Sequence, residues 1–256
     1  EQLVAGDAFA GDDGGRDAGC AIFTTSGTTR APKFVLHAQR SVLDHARDAA
    51  RSFGYGAPDT VLLQALPLCG VFGFSQAMAG LSGGAPLHML PVFEAGAAAR
   101  IIQEARVTQL NGSDDMFRRL FDAAGGAAPF PSLRFGGFAA FSQTPAETVA
   151  MGERHGLRLV GLYGMSEVQA LYARWSEDLP AVERTDGGGI PVSSAAAVRV
   201  RDPESGALLP AGRSGELELR GPSLMAGYFE NPAATAAAFA EDGFFRTGDL
   251  GYLREG

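Results

Sequence analysis

The chain has 256 residues and a formal net charge of −8, from 21 basic and 29 acidic side chains. That length supports one large or two smaller domains with a substantial core. The acidic balance excludes an extended nucleic-acid-binding face but leaves room for one local basic loop. No apolar run approaches the roughly 20 residues of a membrane span, and no secretory leader pattern opens the chain.

Residues 1–19 are rich in Gly, Asp and Ala and read as a loop. Cys20-Ala21-Ile22-Phe23 is a short apolar run of the kind that forms a buried strand. Cys20 and Cys69, the two cysteines of the chain, both lie in apolar stretches. That favours buried thiols over a disulfide and a cytoplasmic setting. After the first strand comes Thr24-Thr25-Ser26-Gly27-Thr28-Thr29-Arg30-Ala31-Pro32-Lys33. Gly27 lets the backbone turn where a Cβ would clash. The hydroxyls of Thr25, Ser26, Thr28 and Thr29, with the exposed N–H groups, can donate to phosphate oxygens, and Lys33 adds a positive charge at the far end. From its residues alone the stretch is equally an anion cradle or an ordinary Ser/Thr turn between strand and helix. Its spacing is not that of a Walker loop.

Residues 41–53 read as a helix with Val42, Ala46, Ala49, Ala50 and Phe53 on one face and His45 beside it, a half-buried structural histidine. Strand signals follow at 61–63, 87–90, 107–110, 133–135 and 157–162, with helices at 72–81, 97–105, 114–123 and 145–155. Asp114 and Asp115 open one helix, where its dipole favours acids, so they read as structural rather than metal-binding. Gly136-Gly137 reads as the turn that ends its strand. The alternation predicts an α/β fold, a doubly wound and mostly parallel sheet with flanking helices. Ligands of such sheets bind outside the carboxyl ends of the strands, which makes the loops after Phe23, Leu66, Phe135 and Leu162 the candidate site.

Beyond about residue 178 the pattern changes. Asp186-Gly187-Gly188-Gly189 marks a loop, and residues 197–200 and 216–220 alternate with period two, as half-buried antiparallel strands do. Asp202-Pro203-Glu204-Ser205-Gly206 supplies a turn between them. Asn231-Pro232 starts a short Ala-rich helix, and residues 244–253 return to strands. This predicts a smaller β-rich unit, part of a barrel. The expected division is a phosphate-loop segment over 1–58, an α/β unit over 59–180 and the β-rich unit over 181–256. The absence of an opening Met and the stop at Gly256 directly after a strand-like run suggest a fragment.

Gly161-Leu162-Tyr163-Gly164-Met165-Ser166-Glu167 is the second stretch with chemical content. Its glycines permit a tight turn, Tyr163 offers a flat face for a base, Ser166 a hydroxyl for a phosphate, and Glu167 a hard oxygen ligand suited to Mg²⁺. By itself it reads as a tyrosine corner with a solvated glutamate.

Together these stretches resemble the adenylate-forming superfamily: acyl- and aryl-CoA synthetases, luciferases and the adenylation domains of peptide synthetases. Thr25 to Lys33 resembles its phosphate-loop signature, with Arg30 and Phe34 where the family carries glycine. Tyr163-Gly164-Met165-Ser166-Glu167 resembles its Tyr-Gly-x-Thr-Glu motif, and Ser166 keeps the hydroxyl. Gly136-Gly137-Phe138-Ala139 falls where the family has a glycine-led segment behind adenine. Residues 215–221 and 227–232 resemble structural signatures, and Arg246-Thr247-Gly248-Asp249 resembles the ribose-binding turn. The motifs stand in the family's order over nearly the whole chain, and the pattern is most similar to acyl-CoA synthetases.

The resemblance implies ATP-dependent activation of a carboxylic acid to acyl-AMP with release of pyrophosphate, then thioester formation with CoA. Acyl-AMP ligation to a carrier protein and a catalytically lapsed nucleotide-binding scaffold are the alternatives. ATP, Mg²⁺ and CoA are the implied cofactors. The resemblance puts Lys33, Ser166 and Glu167 in catalysis and Glu167 on the metal. It puts Thr25, Ser26, Gly27, Thr28, Thr29, Lys33, Gly136, Gly137, Tyr163, Ser166 and Asp249 on the nucleotide. The acyl pocket would be formed by Cys69, Gly70, Phe72, Gly161 and Met165. Cys69 and Gly70 stand where many members have an aromatic-histidine pair, which implies a wider pocket. No acid lies between Pro67 and Leu81 to hold an ammonium, which favours a plain fatty or aryl acid over an α-amino acid. A further N-terminal section and a C-terminal lid carrying a lysine, both implied by the resemblance, have no counterpart in these 256 residues.

Overall fold

The structure is a computed structural model that describes residues 14–25, 32–126, 128–142, 144–185 and 187–254. The expected N-terminal loop lies partly outside these residues. Residues 26–31, the tip of the Ser/Thr-rich loop, and Asp186 lie wholly outside them.

A seven-stranded sheet forms the centre, in the order β4 (Leu87–Met89), β3 (Leu62–Gln64), β5 (Gln109–Ser113), β6 (Phe135–Ala139), β7 (Leu159–Met165), β8 (Gln169–Arg174) and β9 (Ile190–Pro191). The first five strands are parallel and the last two antiparallel. Successive residues of its strands go to opposite faces. Leu63 and Leu159 join α3 (Ala95–Glu104), α4 (Asp114–Ala124) and α5 (Pro145–Arg154) in one core. Leu62 and Val160 join α1 (Gln39–Ser52) and α2 (Val71–Gly83) in the other. Helices therefore cover both faces of the sheet's centre, where strands such as β6 and β7 are mostly buried. The expected face of α1 is buried as its periodicity requires. Burial of Val42 and Phe53 stabilises it by roughly 1.5–3 kcal/mol each.

His45 is fully buried rather than half-buried. Its Nε2–H donates to the Ala170 carbonyl at 2.6 Å, and burial lowers its pKa to about 4. A group depressed in the folded state takes up protons more readily once unfolded, so stability falls as pH drops. Stability should decline from about pH 6.5 toward pH 4, and His45→Gln should flatten that acid limb in denaturant titrations. An unchanged acid limb would contradict the assignment.

Three elements differ from expectation. A strand, β2 (Phe34–Ala38), stands between the Ser/Thr-rich loop and α1, and pairs antiparallel with β1 (Gly19–Thr24). The described residues on either side of the loop thus lie on two paired antiparallel strands, not on a strand and a helix. Gly136-Gly137 lies inside β6 rather than after it, and β7 runs past Leu162 to Met165. Cys20 and Cys69 are exposed free thiols, not buried ones.

The β-rich part is an open four-stranded sheet, β11 (Leu208–Leu209), β10 (Ala197–Arg201), β12 (Gly215–Arg220) and β14 (Phe245–Gly251), not a closed barrel. Its antiparallel β10–β12 pairing follows the expected alternation. Asn231 caps α6 (Pro232–Ala238), its side chain accepting from Ala234 N–H at 3.0 Å. A short strand, β13 (Gly227–Tyr228), instead pairs with β2 and completes a three-stranded sheet around the hairpin. Among the described residues no helix is long and apolar enough to cross a membrane.

Candidate active site

A cleft of about 1070 Å³ opens at the carboxyl ends of the parallel strands. The loops after β3, β6 and β7 form one side, and the turn of β14 forms the other. This is where a parallel sheet presents its loops to a ligand.

The Ser166–Glu167 segment is held from several directions. β7 leads into a single 3-10 turn, Ser166–Val168, and the chain then reverses through Gln169 and Leu171, both at φ +64°. Non-glycine residues adopt that left-handed backbone only where their surroundings over-determine it. Here they do: Gln169 Nε2–H donates to Ser41 O at 2.7 Å, and His37 Nε2–H donates to Ser166 O at 2.7 Å. Met225 N–H donates to Glu167 O at 2.8 Å. Burial lowers the His37 pKa, which keeps the ring neutral. Gly164 is required as well, because a Cβ there would lie 2.8 Å from Ala170 Cα. The result is a carboxylate, Glu167, only 7% exposed yet lining the cleft. Its Oε1 accepts the Tyr228 hydroxyl at 2.9 Å.

On the opposite wall, Thr247 Oγ1–H donates to Leu217 O at 2.8 Å and accepts Asp249 N–H at 3.0 Å, and Gly248 takes φ +75°. These bonds set Asp249 against Tyr163, whose hydroxyl donates to Asp249 Oδ2 at 2.7 Å. Burial, then the Asp249 carboxylate, raises the Tyr163 pKa and keeps the phenol protonated. Arg246 also lines the cleft, 3.9 Å from the buried Glu218 carboxylate that Arg199 and Arg201 pair with.

Thr25 and Lys33 reach the cleft from the mouth of the hairpin. Thr25 N–H donates to Lys33 O at 3.0 Å and Lys33 N–H to Thr25 Oγ1 at 3.3 Å, which closes the base of the loop. Ser26, Gly27, Thr28 and Thr29 lie outside the described residues. Lys33 Nζ sits 4.6 Å from the Tyr228 ring centroid, within cation–π range.

Other expected site residues sit elsewhere. Gly136 and Gly137 are buried packing positions: a Cβ would come 2.4 Å from Leu159 Cδ2 and 2.4 Å from Asn111 Oδ1 respectively. Their segment meets the cleft through Ala139, Ala140 and Phe141. Asp114 anchors that wall, its carboxylate accepting the Ser142 N–H at 2.8 Å and the Ser142 hydroxyl. Cys69 and Gly70 stay outside the cleft, and their segment enters it through Val71 and Phe72. Gly161 is buried in β7 opposite Phe138, whereas Met165 does line the cleft. Sequence reasoning gave no site role to Tyr228 or Glu216. Tyr228 stood within a stretch read as structural, and its proximity to Glu167 arises only from the β2–β13 pairing.

The donor set suits Mg²⁺. Among the described residues no three His, Cys, Asp or Glu side chains cluster to hold a metal by themselves. Glu167 lines the cleft, with Asp249 and Glu216 also on its walls, and Mg²⁺ commonly takes one or two protein carboxylates while substrate phosphates and water complete its shell.

The AMP-binding enzyme family matches over residues 9–229. The chain is 34% identical over 246 residues to 4-coumarate–CoA ligase-like 6 of Arabidopsis thaliana, covering 92% of this chain and 43% of that protein. It is 35% identical over 238 residues to the sulfoacetate–CoA ligase of Cupriavidus necator, covering 92% and 45%. The crystal structure of ATP-bound MatB from Rhodopseudomonas palustris matches with a TM-score of 0.85 at 29% identity, over 97% of this chain and 48% of that one. The chain therefore spans about half the length of the relatives it matches. The match over residues 9–229, on a doubly wound sheet with a cleft at its carboxyl ends, makes the chain a member of the AMP-binding enzyme family.

Proposed function

We propose that the cleft binds ATP and activates a carboxylic acid. A carboxylate oxygen attacks the α-phosphorus, the bond to the β-phosphate oxygen breaks, and pyrophosphate leaves with the electron pair, giving acyl-AMP. A thiol then attacks the acyl carbon and AMP departs. CoA is the favoured thiol, since the similar proteins include a sulfoacetate–CoA ligase and a 4-coumarate–CoA ligase-like protein. The observation that carries this reading is the meeting of Lys33, Ser166, Glu167, Tyr163 and Asp249 in one cleft.

In this reading Tyr163 and the Ala139–Phe141 wall flank the adenine, and Asp249 accepts from the ribose hydroxyls. Thr25, Lys33 and Ser166 attend the phosphates, and Glu167 would hold Mg²⁺. The metal, when bound, neutralises phosphate charge and supports the departing pyrophosphate. The protein's contribution is to position the reactants and to place charge where it develops.

The acid would enter beside Val71, Phe72, Ala170 and Leu171, which offer no carboxylate. A buried unpaired ammonium is costly, whereas apolar carbon gains roughly 25 cal/mol per Å² buried. Fatty or aryl acids should therefore turn over and their α-amino counterparts should not, measured as acid-dependent pyrophosphate release. A Cβ at Gly70 would meet nothing closer than Pro67 O at 3.7 Å, so the backbone there leaves room for a side chain beside Val71, and Gly70→Phe tests that edge of the acid's entry. It should shift kcat/KM toward shorter acids by roughly tenfold or more per methylene, with ATP affinity unchanged. Unaltered chain-length preference would place the acyl group elsewhere.

A further inference from the structure

We propose that Tyr228 is a positioning residue that fixes the Glu167 carboxylate for the metal-bound nucleotide and joins it to the phosphate-loop lysine. The proposal rests on the reading of the cleft given above. Tyr228 is buried at 7% exposure and belongs to the third strand of the hairpin sheet, opposite Val35. Its backbone is pinned on both sides: Tyr228 N–H donates to Thr235 Oγ1 at 2.9 Å, and Phe229 N–H donates to Phe34 O at 2.7 Å. A ring held this firmly presents its hydroxyl in one place.

That hydroxyl donates to Glu167 Oε1 at 2.9 Å, and the face of the same ring carries Lys33 Nζ at 4.6 Å. One side chain therefore touches both charged groups that the reading assigns to phosphate and metal. A bond from a phenol to a carboxylate is charge-assisted and directional. It engages one of the two carboxylate oxygens and so restricts the rotation of the whole group. Met225 N–H holds the backbone of the same glutamate. Tyr228 of the three-stranded sheet thus sets the side chain of Glu167, and Met225, just before β13, sets its main chain.

The test is calorimetric titration of ATP into the chain, with and without Mg²⁺, for the wild type, Tyr228→Phe, Tyr228→Leu and Glu167→Gln. Tyr228→Phe keeps the ring and the Lys33 contact and loses only the hydroxyl. Its metal-free ATP affinity should stay within about twofold of wild type, whereas the gain in affinity on adding Mg²⁺ should fall roughly tenfold, as expected for one charge-assisted bond. Tyr228→Leu should also weaken metal-free binding, because Lys33 loses the ring. In a Glu167→Gln background, Tyr228→Phe should change the Mg²⁺ gain no further. The proposal is overturned by an unchanged Mg²⁺ gain in Tyr228→Phe, or by equal losses with and without Mg²⁺, which would mark a structural role. Wild-type chain that binds no ATP in either condition would overturn the reading of the cleft as well.

Discussion

Replacing Glu167 with alanine should slow acyl-AMP formation by roughly 10²-fold or more, the usual scale for removing a stabiliser of transition-state charge. The expectation follows from its setting. Glu167 is nearly buried on the cleft wall, its backbone held by Met225 and its side chain by Tyr228. A carboxylate kept there against its desolvation cost is useful where a cation and phosphates must meet. Metal-free ATP affinity should change little, since Tyr163, Asp249 and Lys33 remain. Glu167→Ala also strands the buried Tyr228 hydroxyl, at a cost of roughly 1–3 kcal/mol in stability. Glu167→Gln retains an acceptor for that hydroxyl and separates the two effects. If Glu167→Gln kept full activity, or if Glu167→Ala lost metal-free affinity as steeply as rate, the metal-side role would be wrong.

Asp249→Ala should weaken ATP and AMP binding by roughly 10- to 100-fold, the range for losing hydrogen bonds to a charged acceptor. Thr247 and Gly248 set the Asp249 backbone, and Tyr163 donates to its Oδ2. The carboxylate is therefore pre-positioned and gives up little freedom when a ribose arrives. Tyr163→Phe should cost less, because the flat ring stays. The discriminating measurement compares AMP with its 2′- and 3′-deoxy forms. Wild type should lose affinity for each deoxy form, and Asp249→Ala should bind all of them equally weakly. A variant that still favoured the intact ribose would remove Asp249 from that role.

Much of this was legible in the sequence where the signal is local. The buried face of α1, the β10–β12 alternation and the Asn231 cap each depend on spacings of a few residues. The order of the site motifs was legible for the same reason. What escaped depends on distant partners. β2 abuts α1 with no glycine or proline between them, and it is a strand because β1 and β13 flank it. β8 is entered through left-handed Gln169 and Leu171, which carry no turn signature, and the His37 ring of β2 and the Ser41 carbonyl of α1 hold that turn. Gly136-Gly137 looked like a turn, yet Leu159 and Asn111 are what require glycine at those positions. The exposure of Cys20 and Cys69 shows the same limit, since an apolar run does not reveal which residues face outward. The Tyr228–Glu167 contact joins two motifs that are separate in sequence and adjacent only in the fold.

The most direct test of carboxylate activation in this cleft follows an oxygen-18 label from the acid. The chain would be incubated with ATP, Mg²⁺, CoA and an aryl or fatty acid labelled in its carboxylate, and the products analysed by mass spectrometry. Attack of the carboxylate on the α-phosphorus predicts AMP carrying one label, with pyrophosphate unlabelled and the thioester retaining the other oxygen. Label in inorganic phosphate with ADP formed, or unlabelled AMP, would contradict it.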